Sequence, residues 1–254
     1  MNAVLTPERV DAARSAANLF FAVAQPVAGQ ASRLFGGGEP IEERSAKARS
    51  PVTPADGAFA IWGPIFAAGL SHAVRTAARA DEPLVRRTGW LTAAAYAGDT
   101  AWELWAQYRN VGWKSVAIIG ATAGAANAAM LVAARAEPDE PGRALVLNSV
   151  APLAGWLTVA TAANLGGARL AEGGPADRPV QTRVAVALVA GVATAASALA
   201  YAGRGNPLYA GAAGWGLAGV AVRNVRERNG PVLLAALAGL AAVAGATLMA
   251  QRRA

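Results

Sequence analysis

The chain has 254 residues, 54% of them hydrophobic and only 15% charged, and its mean hydropathy is positive, whereas soluble domains run to roughly a quarter charged. It contains no cysteine, which excludes a disulfide, a thiolate-bound metal and a thiol nucleophile. The formal charge of +7 comes without a basic stripe of interleaved aromatics, so nucleic acid is not expected as a partner and anionic membrane lipids are.

The N-terminal stretch mixes Glu8, Arg9, Asp11 and Arg14 with alanine before any apolar run, unlike a cleaved signal peptide. Eight apolar runs follow, and each predicts a membrane helix. The first spans about Ala12 to Ser32, with Pro26 as a predicted kink. A polar loop with Gly36, Gly37 and Gly38 then runs to Asp56 and closes on "SPVTPADG". The second to fifth runs cover about Ala58 to Arg75, Gly89 to Tyr108, Trp113 to Ala134 and Leu145 to Leu170. After the breaker "AEGGPADRP" come three shorter, alanine-dominated runs near Val184 to Ala202, Pro207 to Val222 and Pro231 to Ala250. Arg and Lys divide almost evenly between alternate loops, 11 of 23 on the N-terminal side, so their distribution does not orient the chain.

The inventory also excludes most soluble-enzyme chemistry. There is no P-loop, no dinucleotide fingerprint and, with His72 as the only histidine, neither a triad nor a zinc site. No catalytic or metal-binding residue is therefore assigned, and His72 reads as an interfacial or helix-bonding imidazole. The third run, "GWLTAAAYAGDTAWELWAQYRN", sets Asp99 and Glu103 one helical turn apart beside Trp102 and Trp105. An ionisable group at membrane depth normally faces a cavity or a partner, which marks Asp99; Glu103, nearer the run's end, can reach the interface. In the fifth run Asn148, Pro152, Trp156, Ala160 and Asn164 recur every four residues and form a stripe expected to face the bundle, with Thr158 and Thr161 adding hydroxyls. Trp62 and Phe66 are one turn apart in the second run, around the helix-breaking Pro64. Gly120 and Gly124 match a helix-packing pair.

These motifs resemble those of the TspO/MBR family, the translocator protein and tryptophan-rich sensory protein group, in its longer bacterial form. "PLAGWLTVATAAN" is similar to the family's closing-helix pattern, through Pro152, Trp156, Ala160, Thr161 and Asn164. "TPADGAFAIWGPIF" resembles the loop and start of its second helix, through Pro54, Phe59, Trp62 and Phe66, although the usual double proline is reduced and Phe59 precedes Trp62 by three residues rather than four. "DTAWELW" resembles an Asn-x-x-Trp element, with Asp99 where asparagine is common and Trp102 at the tryptophan.

The resemblance covers about residues 12 to 170 and implies a five-helix bundle whose pocket binds porphyrins and other flat hydrophobic ligands under the loop between its first two helices. The sterol-recognition segment is missing, since no tyrosine follows Asn164 until Tyr201. Leu104, Tyr108 and Lys114 match a cholesterol pattern only formally.

The fold expected is all-α and integral to the cell membrane, multi-pass: a TspO-like five-helix core over residues 1–170 and about three additional transmembrane helices over 171–254. The expected function is binding or sensing, with a porphyrin- or haem-like ligand held by Trp62, Phe66, Asp99, Trp102, Trp156, Thr161 and Asn164, no required cofactor, and a homodimer left open. The alternative is a small-solute or proton-coupled transporter using Asp99. A third reading, ligand-assisted tetrapyrrole breakdown, needs no protein-bound metal and is separated from the first by whether bound pigment is consumed.

Overall fold

The computed structural model describes residues 6–47, 50–109, 111–171, 173–174 and 177–253. Among the described residues ten α-helices occur in chain order: α1 (Pro7–Gly29), α2 (Ala31–Phe35), α3 (Ile41–Lys47), α4 (Trp62–Ala77), α5 (Pro83–Tyr108), α6 (Trp113–Arg135), α7 (Arg143–Ala171), α8 (Arg178–Ala202), α9 (Pro207–Arg226) and α10 (Gly230–Gln251). The eight long ones coincide with the eight predicted runs. Prolines mark their starts: Pro7, Pro83, Pro179, Pro207 and Pro231 all occupy the first two helical positions, where a missing N–H costs nothing. The α9 start is also capped, since Asn206 Oδ1 accepts from the backbone N–H groups of Leu208 and Tyr209 at 3.0 and 3.1 Å.

Five segments are long and apolar enough to cross a membrane by length and composition: Asp56–Ala77, Trp113–Arg135, Arg143–Ala171, Arg178–Ala202 and Gly230–Gln251. The other long helices, α1, α5 and α9, fall below that apolarity because they bury polar side chains. Asn18 and Gln25 lie inside on α1, Asp99, Glu103 and Gln107 on α5, and Asn224 on α9.

The helices α1, α4, α5, α6 and α7 form one bundle, with α1 against α4 and α5, α6 between α5 and α7, and α4 closing on α7. The last three add to it through α7: α9 seats on α7, α8 touches it, and α10 lies against α8 and α9. Small residues allow these approaches. A Cβ at Gly216 of α9 would stand 2.9 Å from Val159 of α7, and one at Gly239 of α10 the same distance from Ala193 of α8. Thr158 of α7 joins three helices, its hydroxyl accepting from Asn127 of α6 at 3.2 Å and from the Tyr209 hydroxyl of α9 at 3.3 Å.

Several local expectations change. Surrounded by α4, α6, α8 and α9, α7 is buried on nearly all sides, so its inward positions do not follow one stripe. Asn148 is exposed and Ser149 points in, its hydroxyl 2.7 Å from that of Tyr96. Pro64 lies in the first turn of α4, preceded by a 3₁₀ turn (Asp56–Ile61), and so starts the helix instead of kinking it. Gly120 and Gly124 touch no neighbouring helix; they border an open groove of about 370 Å³ between α6, α7 and α8. The close α5–α6 approach occurs at Gly98, directly against Thr122.

Candidate functional site

Where α5 and α7 approach their C-terminal ends, a row of aromatic rings crosses the bundle. Trp62 of α4 stacks on Phe66 (centroids 5.3 Å apart, planes 19° apart) and on Trp102 of α5 (6.3 Å, 28°), and meets Trp156 of α7 edge-on (5.9 Å, 80°). Phe59, on the 3₁₀ turn, meets Trp156 edge-on from the other side at 5.9 Å. Offset and edge-on pairs of this kind are the arrangement the ring quadrupoles favour. Trp62, Trp102, Trp156 and Asn164 are all buried, and Phe66 is half-buried.

The polar groups here are mostly committed to the protein. The Trp102 indole N–H is shared between Ser115 Oγ at 3.0 Å and Asn164 Oδ1 at 3.1 Å, and the Ser115 hydroxyl donates to that same Oδ1 at 2.6 Å. The Asn164 amide donates to Ala160 O of its own helix at 3.0 Å. Asn164 therefore ties α5, α6 and α7 together. By contrast, the indole Nε1 atoms of Trp62 and Trp156 are buried without an acceptor.

A cavity of about 30 Å³ lies against this floor, with Trp102, Trp156, Ala160 and Asn164 below and Ile41, Arg44, Thr53, Pro54 and Phe59 above. It has room for a water or two and is about a tenth of the ~300 Å³ at the low end of drug-sized ligand sites. The residues above it, from α3, residues 50–55 and the 3₁₀ turn, form its roof.

That roof is fastened at both ends. On the α5 side, Arg44 donates to Arg109 O and Gln107 O, both at 2.9 Å, and Glu39 N donates to Gln107 O at 2.9 Å. The Gln107 side chain in turn accepts from Ser32 N at 2.8 Å and donates to Ala28 O at 2.6 Å. On the other side α9 holds it: Asn224 Nδ2 donates to Pro51 O at 2.8 Å, Trp215 Nε1 to Ala58 O at 2.8 Å, and Ala55 N to Gly219 O at 3.0 Å. Beside α3, Glu39 receives Lys47 Nζ at 2.7 Å, with Arg44 at 3.7 Å. The Lys47 hydrogen bond and the charges of Lys47 and Arg44 hold the Glu39 carboxyl below its ordinary value.

The remaining predicted residues lie apart from the cavity. Asp99, fully enclosed on α5, has no hydrogen-bond partner on either carboxylate oxygen. Glu103 does not reach the interface: it is 1% exposed, its Oε2 is unpartnered, and a Cβ at Gly29 would lie 2.9 Å from its Oε1. Among the described residues no cation pairs with either acid. Thr161 turns to the groove beside Gly120 and Gly124, its hydroxyl bonded to Leu157 O of its own helix at 2.8 Å. His72 is buried and edge-on to Tyr96 at 6.3 Å.

Five of the seven predicted residues thus come together in the ring row and its amide tie, Trp62, Phe66, Trp102, Trp156 and Asn164; of these Trp102, Trp156 and Asn164 line the cavity, and Trp62, Phe66, Asp99 and Thr161 do not. Sequence reasoning missed Ser115, Gln107, Arg44, Trp215 and Asn224. Only Gln107 carried a signal, as the third member of the polar series Asp99, Glu103, Gln107 at four-residue spacing. Among known proteins, the family model described as TSPO-like protein matches residues 15–249, through the last three helices. No curated protein matches the chain, and no solved structure does.

Proposed function

The chain belongs to the TSPO-like protein family, and from that premise we propose that this multi-pass membrane protein, placed in the cell membrane, binds or senses a porphyrin-like or similarly flat hydrophobic molecule between the tryptophan floor and its roof. The observation that carries the reading is the joined ring system of Phe66, Trp62, Trp102 and Trp156 beneath a separately fastened cover. Indoles offer a large stacking area at little entropic cost, and the free N–H groups of Trp62 and Trp156 are donors for acceptors on a guest. Asn164 acts by fixing the Trp102 plane.

Protoporphyrin titrated into the purified protein is expected to quench tryptophan fluorescence saturably. Trp156→Phe keeps the fold, and Trp156→Ala weakens binding by about 2 kcal/mol, some thirty-fold. Unsaturable quenching, or equal affinity in Trp156→Ala and the parent, would overturn the reading. The pigment's absorbance in the same titration, under light and air, separates holding from breakdown.

One observation favours a second reading, transport coupled to a proton or small solute: both Asp99 carboxylate oxygens are buried in the bundle with no hydrogen bond. Its test is pH-driven solute uptake in proteoliposomes, lost in Asp99→Asn, with porphyrin affinity unchanged.

A further inference from the structure

The start of α8, the end of α9 and the start of α10 meet around an open groove of about 820 Å³. Three guanidinium side chains border it: Arg178 and Arg183 in the first turns of α8, and Arg228 in the α9–α10 turn. Arg178 donates to the Glu227 backbone oxygen at 3.2 Å, and the Glu227 carboxylate is taken by Arg223 at 2.9 Å. Among the described residues, Arg178, Arg183 and Arg228 have no carboxylate partner.

A further feature favours an anion there. The starts of α8 and α10 both open on the groove with no side-chain cap: neither Asp177 nor Asn229 accepts from its helix start, and the Asn229 amide donates to Thr182 Oγ1 at 3.4 Å. The uncapped N–H groups, other than at Pro179 and Pro231, which have none, carry the positive ends of the helix dipoles.

The walls decide which anion fits. Pro179, Val186 and Pro231 line the groove, and Val180 on α8 and Leu234 and Leu237 on α10 are exposed apolar side chains on the two helices, each long and apolar enough to cross a membrane. A free phosphate would use the arginines and leave this surface idle. We propose that the groove is a binding site for one anionic phospholipid, its phosphate among Arg178, Arg183 and Arg228 and its acyl chains along α8 and α10. The groove shares no residue with the tryptophan cavity, so its occupancy stands or falls independently of the flat-ligand reading.

The test uses the purified full chain in neutral detergent, titrated separately with phosphatidylglycerol, phosphatidylcholine and inorganic phosphate, and read by native mass spectrometry and thermal unfolding. One phosphatidylglycerol should be retained per chain and should raise the Tm, while phosphatidylcholine and phosphate do neither. The triple variant Arg178→Gln, Arg183→Gln, Arg228→Gln should weaken retention on the order of a hundred-fold, at about five-fold per arginine. Removing the same charge at the opposite helix ends, with Arg204→Gln, Arg252→Gln and Arg253→Gln, should leave it unchanged. Arg183→Gln alone, an exposed side chain without a partner, should cost about five-fold and guards against misfolding of the triple. Equal retention of phosphatidylcholine, equal loss in the opposite-end variant, or displacement of the lipid by inorganic phosphate would overturn the proposal.

Discussion

Asn164 serves two buried donors through one oxygen, Trp102 Nε1–H and Ser115 Oγ–H, and nothing else in reach replaces it for the indole except that same serine. Asn164→Ala leaves a buried donor short of an acceptor, which costs about 1–3 kcal/mol. The Tm in detergent should fall accordingly. Thr161→Ala should barely move it, since that hydroxyl bonds only its own helix. Asp99→Asn should move the Tm little, because neither carboxylate oxygen has a hydrogen bond to lose. A drop in Asp99→Asn as large as in Asn164→Ala would mean that Asp99 holds a partner the fold does not reveal. Residue chemistry alone could pick out both polar groups but could not rank them. Asp99 and Asn164 differ in what stands opposite, and the serine opposite Asn164 sits 49 residues away in sequence.

Elements were the more legible scale. Apolar runs separated by proline and glycine map directly onto α1 and α4 to α10, because in a membrane each helix must satisfy its own backbone and so writes its length into composition. The roof was not legible in that way. Its closure depends on where α5 and α9 present carbonyls and amides, which no local pattern encodes. The Glu39 ion pair beside α3 adds a pH dependence. The folded-state value of Glu39 is depressed, so its contribution to closure is present above its ordinary value of 4.5 and is lost as pH falls through the lower folded value. Hydrogen exchange in residues 39–47, taken relative to the intrinsic rate at each pH, should therefore quicken on acidification below the ordinary value of 4.5. Arg44→Ala should quicken it at neutral pH too, by freeing the Gln107 and Arg109 carbonyls. Exchange that is unaffected in Arg44→Ala would show that the α9 side alone keeps the roof shut.

At the scale of the whole molecule, we propose that residues 1–170 are a self-sufficient core and that the last three helices serve it from outside. Ending the chain after Ala171 removes Asn224, Trp215 and Gly219 from the roof while leaving every ring of the aromatic row in place. The shortened protein should insert in the membrane and still quench with protoporphyrin, but release the ligand faster, by about twenty-fold for the loss of three hydrogen bonds at ~0.6 kcal/mol each. Failure to insert would sink the proposed division. The fastenings themselves have one more consequence. Arg44, Asn224, Trp215 and the Ala55 N–H all end on main-chain oxygens, as does Glu39 N. Such anchors ask nothing of the side chain that belongs to the oxygen, except at Gly219, where an added Cβ would stand 2.7 Å from Ala58 and 2.8 Å from Pro54. Thr53 and Phe59 lie outside that close contact, so mutations there can accumulate over generations and reshape the cavity while the same main-chain fastenings persist.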